Sequence, residues 1–154
     1  MINRALASRA EGELERASGL VLVVLRSLRK LPRCTGRTLY RGVCGDVDMA
    51  SYREGATVVW GGLSSTSPDM GVTKAFLAKG TEDGCARGTL FVIEGGWGYN
   101  IQPYSLFPEE EEILLEPERE FRVQSVIDAK LTVIKLEMLD TPLLLPDVFG
   151  SGVK

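Results

Sequence analysis

"FPEEEEILLEPE", residues 107–118, sets four consecutive glutamates against an apolar triplet, with a proline near either end. Adjacent carboxylates repel one another, so the row asks for a reason. Ile113, Leu114 and Leu115 read as a short strand entering the core, and Pro108 fixes the approach to it. If 109–116 is extended, successive side chains alternate. Glu110 and Glu112 then point one way, and Glu109 and Glu111 the other. The run is either a solvated acidic turn or a strand end presenting one carboxylate pair to a cleft.

The surrounding chain narrows the choice. Its 154 residues suit one domain with a real core, and the 44% apolar and 25% charged fractions are those of an ordinary globular protein. We expect a single domain over 1–150, with a helical lead-in at 1–33 and a β-rich core at 36–139. Residues 1–37 carry eight Arg or Lys against three Glu, and the rest carries ten against eighteen Asp or Glu. An acidic body is unsuited to nucleic acid, which needs a basic face to displace counterions. There is no histidine, which removes Ser-His-Asp and Cys-His catalysis and His-ligated metals. Acid-base work falls to carboxylates, Lys, Tyr or water. Three cysteines, Cys34, Cys44 and Cys85, are too few for a disulfide framework and point to a reducing compartment, so the cytoplasm is favoured over secretion. "GLVLVVL" at 19–25 is far shorter than the roughly 20 residues of a membrane span and reads as a buried helix.

Leu14, Ala17, Val21, Val24, Leu28 and Leu31 recur at helical spacing. Ser18-Gly19 marks a break, Pro32 an end, and Arg26, Arg29, Lys30 and Arg33 a solvated basic face. After Gly36 the texture turns to short strands, "TLYRGV" (38–43) and "ATVVW" (56–60), with a turn between them that Asp46 would cap. In "SPDMGVTKAFLAKG", Ser67 and Pro68 fit a helix start and Gly80 its end. "TLFVIEG" (89–95) is a strand, "GGWGYNI" a glycine-rich turn, and "EILLEP", "EFRVQSV" and "LTVIKLEML" complete a strand-dominated second half. Helices first, then mostly antiparallel strands with one inserted helix, give an α+β fold.

Two further stretches carry chemistry. In "LYRGV", Arg41 lies inside a strand on the side of Leu39 and Val43, where a guanidinium needs an anion. A structural carboxylate and a phosphate ligand both satisfy that demand; the planar fork suits the second. Gly42 beside it would admit a ligand close to the backbone. In "GGLSSTSPD", Ser67 is explained by helix capping, but Ser64, Ser65 and Thr66 are not.

Taken in order, "LYRGV", "SSTSP" and "FPEEEEILLEP" resemble the arginine-serine-glutamate class of mono-ADP-ribosyltransferases, over roughly residues 36–139. The resemblance implies a fold of N-terminal helices and two roughly perpendicular, mostly antiparallel sheets enclosing an NAD cleft. It implies NAD (or NADP) as cosubstrate, no metal, a protein acceptor with an accessible arginine, and a monomer. Arg41 would bind the NAD phosphates, with Gly42, Ser65, Thr66 and Phe76 also at the cosubstrate. Ser65 would orient the catalytic Glu112, and Glu110 would act on the acceptor guanidinium. Tyr104 and Phe107 would meet the acceptor, while Trp60 and Trp97 are core or hinge aromatics. The helical region ahead of Arg41 is short for the family, which implies a truncated start and reduced stability. Two alternatives use the same residues: an NAD glycohydrolase, with water as acceptor, and a non-catalytic NAD-binding or interaction domain.

Overall fold

The computed structural model describes residues 11–45, 47–82, 84 and 87–140, together with Asn3. Helix α1, Glu11–Leu28, runs through Ser18-Gly19 without the expected break and stops before Pro32. Val21, Leu25 and Leu28 bury one of its faces, at steps of four and three residues. Asp46 and Cys85 lie outside the described residues. Asp48 ties the turn after β1 instead, its carboxylate accepting from the Ala50 N–H and the Ser51 hydroxyl. Cys34 is free, whereas Cys44 is disulfide-bonded, a pairing that the sequence did not lead us to expect.

Among the described residues seven strands follow α1: β1 (Arg33–Cys44), β2 (Thr57–Trp60), β3 (Ser64–Thr66), β4 (Gly88–Asn100), β5 (Ile113–Leu115), β6 (Arg119–Ile127) and β7 (Leu131–Met138). Helix α2, Met70–Glu82, is inserted between β3 and β4. It starts later than Ser67 and runs past Gly80. Ser67 is not free to begin a helix, because its backbone N–H and C=O are both bonded to Tyr40, at 2.9 and 2.8 Å. Asp69 caps instead, accepting the Gly71 N–H at 2.6 Å.

The sheet order is β2-β6-β7-β4-β5-β3, with β1 on the other edge of β4. Only the β4–β7 pair is parallel. The two expected sheets share β4. Residues Gly88–Glu94 pair with β7, and Tyr99 and Asn100 pair with β5. The stretch read as a turn, "GGWGYN", is therefore strand throughout, bent at Gly95, whose φ of 63° favours glycine. β5 pairs with β3, and the Tyr40–Ser67 bridge returns the hydrogen bonding to β1. β1, β4, β5 and β3 thus form a closed circuit. Its inward side chains, including Leu39, Phe91, Ile93, Ile113 and Leu115, belong to the main core.

Gly96 and Gly98 of β4 serve close packing. A Cβ on Gly98 would lie 2.7 Å from Ile113 Cγ2 and 2.8 Å from the Leu114 carbonyl oxygen. A side chain can turn aside, but that carbonyl moves only with β5. Gly98→Ala is expected to cost about 3 kcal/mol, lowering Tm by roughly 10 °C in a thermal melt. Activity should fall with it, since β5 carries the glutamate turn. An unchanged melting point would show that β5 is not seated as described.

Candidate active site

Three segments distant in sequence meet at one open cleft of about 240 Å³. β1 supplies Arg41 and Gly42, β3 supplies Ser65 and Thr66, and the turn before β5 supplies Glu110 and Glu112. α2 forms a further wall through Val72, Thr73 and Phe76. The closed circuit of strands explains the convergence: Tyr40–Ser67 pairing pins β1 against the end of β3, and β3 is hydrogen-bonded to β5.

The Arg41 Nη1 donates to the Ser65 carbonyl at 2.8 Å, and its guanidinium lies 5.6 Å from the centre of the Trp60 ring. Among the described residues no carboxylate pairs with it, so the structural ion pair, one of the two readings of this side chain, finds no support there. Burial pushes the Arg41 pKa below its ordinary value, against an opposing pull from Tyr52. Arginine does not deprotonate in proteins, so the guanidinium stays charged in this half-buried place.

Strand alternation places Ser65 outward to the cleft and turns Ser64 and Thr66 inward. The buried Thr66 hydroxyl donates to the Ile113 carbonyl at 2.6 Å, so it clamps β3 to the first residue of β5. Gly42 has a packing reason besides its place at the cleft. A Cβ there would meet Leu77 Cγ at 3.0 Å and Phe76 Cδ1 at 3.1 Å, so it lets α2 approach β1. Phe76 is 53% exposed, whereas its neighbour Leu77 is buried. Phe76 faces the cleft rather than the core. Trp60 packs edge-on to Phe91 and gives its Nε1–H to the Tyr52 hydroxyl at 2.9 Å, a core role as expected.

The glutamate segment is not extended. Pro108–Glu110 forms a single 3₁₀ turn, and Glu111 is left-handed at φ 48°. The carboxylates nevertheless divide as alternation predicts: Glu110 and Glu112 line the cleft, and Glu109 and Glu111 are exposed. Tyr104 and Phe107 do not line the cleft. They stand on the loop ahead of it, 74% and 57% exposed, with Leu106 between them at 91%.

One participant near the site escaped the sequence. Glu116, four residues after Glu112, is buried and binds Arg29, in the turn just past α1, at 2.9 Å, Arg119 of β6, and the Tyr99 hydroxyl of β4 at 3.2 Å. Arg29, read as part of a solvated face, is therefore half-exposed and paired with a buried carboxylate. A charged residue directly after a buried apolar triplet was the available signal; its partner 87 positions away was not. Burial alone would raise the Glu116 pKa, but the Arg29 and Arg119 guanidiniums outweigh it and hold it below the ordinary carboxylate range. A depressed carboxylate stabilises the fold above its unfolded pKa, and that contribution is lost as pH falls through the folded value. Glu116→Gln is therefore expected to cost about 3 kcal/mol at neutral pH, at the low end for a buried pair because Arg29 is half-exposed. The gap from the parent should start to narrow near the ordinary glutamate pKa of about 4.3 and close only at lower pH, where Glu116 itself protonates. Chemical denaturation at neutral and at low pH checks this, and a gap independent of pH would contradict it.

Against known proteins, the sequence profile of the NAD:arginine ADP-ribosyltransferase family matches residues 18–141. Ecto-ADP-ribosyltransferase 5 of Homo sapiens is 32% identical over 102 residues, covering 66% of this chain and 32% of the human protein. The Mus musculus protein gives the same identity over 30% of its length, so the chain spans about a third of these relatives. The fold is shared with the Vibrio splendidus ADP-ribosyltransferase Vis, solved with agmatine, at TM-score 0.69 and 24% identity, covering 91% of this chain and 67% of Vis. It is shared also with HopU1 of Pseudomonas syringae, at TM-score 0.66 and 22% identity, covering 90% and 63% respectively. Exoenzyme S of Pseudomonas aeruginosa, bound to Carba-NAD, gives TM-score 0.66 at 20% identity over 99% and 76%. The profile takes in every strand of the sheet and all three segments that meet at the cleft, so the chain belongs to the NAD:arginine ADP-ribosyltransferase family.

Proposed function

We propose that this chain transfers ADP-ribose from NAD to the guanidinium of a protein arginine, releasing nicotinamide. The observation that carries the reading is Arg41: a partly buried guanidinium without a carboxylate partner among the described residues, across a cleft from two carboxylates. A cation awaiting an anion beside acids awaiting positive charge suits a substrate with a pyrophosphate at one place and a sugar that becomes cationic at another.

In this reading Arg41 holds the NAD phosphates by its planar fork. Phe76 covers the nicotinamide, and Ser65 holds the nicotinamide-side ribose and orients Glu112. The bond between the ribose C1′ and the nicotinamide nitrogen breaks, its electron pair leaving with the ring. Nicotinamide departs neutral, so no general acid is needed, and a histidine-free cleft suffices. The C1′ centre gains oxocarbenium character, which the fixed Glu112 carboxylate stabilises. Glu110 binds the acceptor guanidinium and takes its proton as the new C1′–N bond forms. That step matters because a guanidinium holds its proton to above pH ~12 and is a poor nucleophile until it gives it up. The exposed Tyr104, Leu106 and Phe107 form an apolar platform for the acceptor protein next to Glu110.

The test is incubation with NAD, with and without agmatine as a small guanidine acceptor. ADP-ribosylated agmatine is expected alongside nicotinamide, with any excess of nicotinamide measuring transfer to water. Release without adduct would make the protein a glycohydrolase, and NAD binding without release a non-catalytic domain.

A further inference from the structure

Glu111 is one of two non-glycine residues with positive φ among the described residues. At φ 48° and ψ 44° its backbone is left-handed. A side chain crowds its own carbonyl in that conformation; glycine escapes the cost, and β-branched residues are nearly excluded. The side chain is exposed and lies outside the cleft lining, so no contact of its carboxylate explains why the backbone is held there.

The two sides of Glu111 are held very differently. Downstream, the Glu112 carbonyl accepts from Ile101 N at 3.0 Å and the Ile113 carbonyl from Thr66 Oγ1 at 2.6 Å. Ile113 and Leu115 are then buried in the core. Upstream, the Pro108–Glu110 turn has no buried residue. Its ties are Glu110 N to Phe107 O at 3.0 Å, Glu111 N to Pro108 O at 3.3 Å, and Gln102 Nε2 to Pro108 O at 2.8 Å. Any change in the backbone at 111 is therefore taken up by the turn, which carries Glu110, and not by β5, which carries Glu112.

We propose that the left-handed backbone of Glu111 is what turns Glu110 into the cleft beside Glu112, so that position 111 sets the choice between guanidinium and water. It does so through its conformation and not its charge, which makes Glu111 a positioning residue. This rests on the proposed function, because it concerns the partition between that reaction and hydrolysis of the same NAD.

Three variants test it. Glu111→Gly and Glu111→Gln keep an accessible left-handed backbone and should retain transfer to agmatine. Glu111→Val should lose about tenfold or more in transfer, while nicotinamide release into water stays within about threefold of the parent. Glu111→Val added to Glu110→Gln should lower transfer no further than Glu110→Gln alone. Equal transfer by the Val and Gln variants would overturn the proposal, as would a Val variant losing release and transfer together. Crystal structures read the geometry without reference to catalysis. The Glu110 carboxylate should be in the cleft in Glu111→Gly and out of it in Glu111→Val, with Glu112 unmoved in both. Glu110 still in the cleft of the Val variant sinks the inference. A parent protein that forms neither product sinks the proposed function instead, and leaves the structural comparison to decide this one.

Discussion

Glu112→Gln is expected to abolish nicotinamide release and arginine transfer together, while NAD still binds. The substitution keeps the size of the side chain and removes its charge. Glu112 sits where β5 enters the core, with its carbonyl bonded to Ile101 N at 3.0 Å and Ile113 buried next to it. The amide therefore occupies the same place. In the proposed reading ground-state NAD is held chiefly at its phosphates, through Arg41, so affinity should change little. The charge that Glu112 answers develops only as the glycosidic bond breaks. Removing one preorganised group of this kind from an oxyanion-type site costs about 10²–10³ in rate, and a full charge facing a cation should reach at least that. Release by steady-state assay and binding by calorimetry separate the two effects. A Gln variant that retains release, or one that loses NAD affinity in proportion to rate, would remove Glu112 from the role given to it.

Glu110→Gln is expected to do something different: transfer to arginine falls by about 10²–10⁴, the usual worth of a placed general base, while release into water largely survives. The two glutamates share the cleft but stand on different supports, one on an exposed 3₁₀ turn and the other at the root of a core strand. Water needs no carboxylate to bind it by paired hydrogen bonds, and the oxocarbenium centre reacts with it unaided. A guanidinium needs both orientation and removal of its proton. Comparing nicotinamide and ADP-ribosyl-agmatine yields in one reaction measures the split. Equal loss of both products would show that Glu110 acts at the NAD and not at the acceptor. Glu109→Gln and Glu111→Gln, at exposed positions outside the cleft lining, are the controls and should change little.

Much of this arrangement was legible because the chemistry-bearing residues sit on short, strongly patterned strands. Arg41, Ser65, Glu110 and Glu112 were all assigned from three segments in order, and the structure lines one cleft with the four of them. What misled were local signals overridden at long range. The glycines of "GGWGYN" suggested a turn, yet Gly96 and Gly98 are small because Leu39 and β5 press on β4 there. Ser67 suggested a helix start, yet its backbone is committed to Tyr40. Arg29 looked solvated because its partner Glu116 is 87 residues away. The glutamate run was read as extended, and the 3₁₀ turn with a left-handed residue reached the same division of side chains by another path. Charges in a row say nothing about φ. Pro108, well suited to the first position of such a turn, was the one cue present.

The destination of the ADP-ribose is the most direct test of the proposed reaction. The protein should be incubated with isotopically labelled NAD and an arginine-bearing acceptor protein, and the labelled residue located by mass spectrometry. ADP-ribose on a guanidino nitrogen, lost in Glu110→Gln, is the predicted result. Label confined to carboxylate, thiol or hydroxyl side chains, or NAD consumed with no labelled protein, would contradict it.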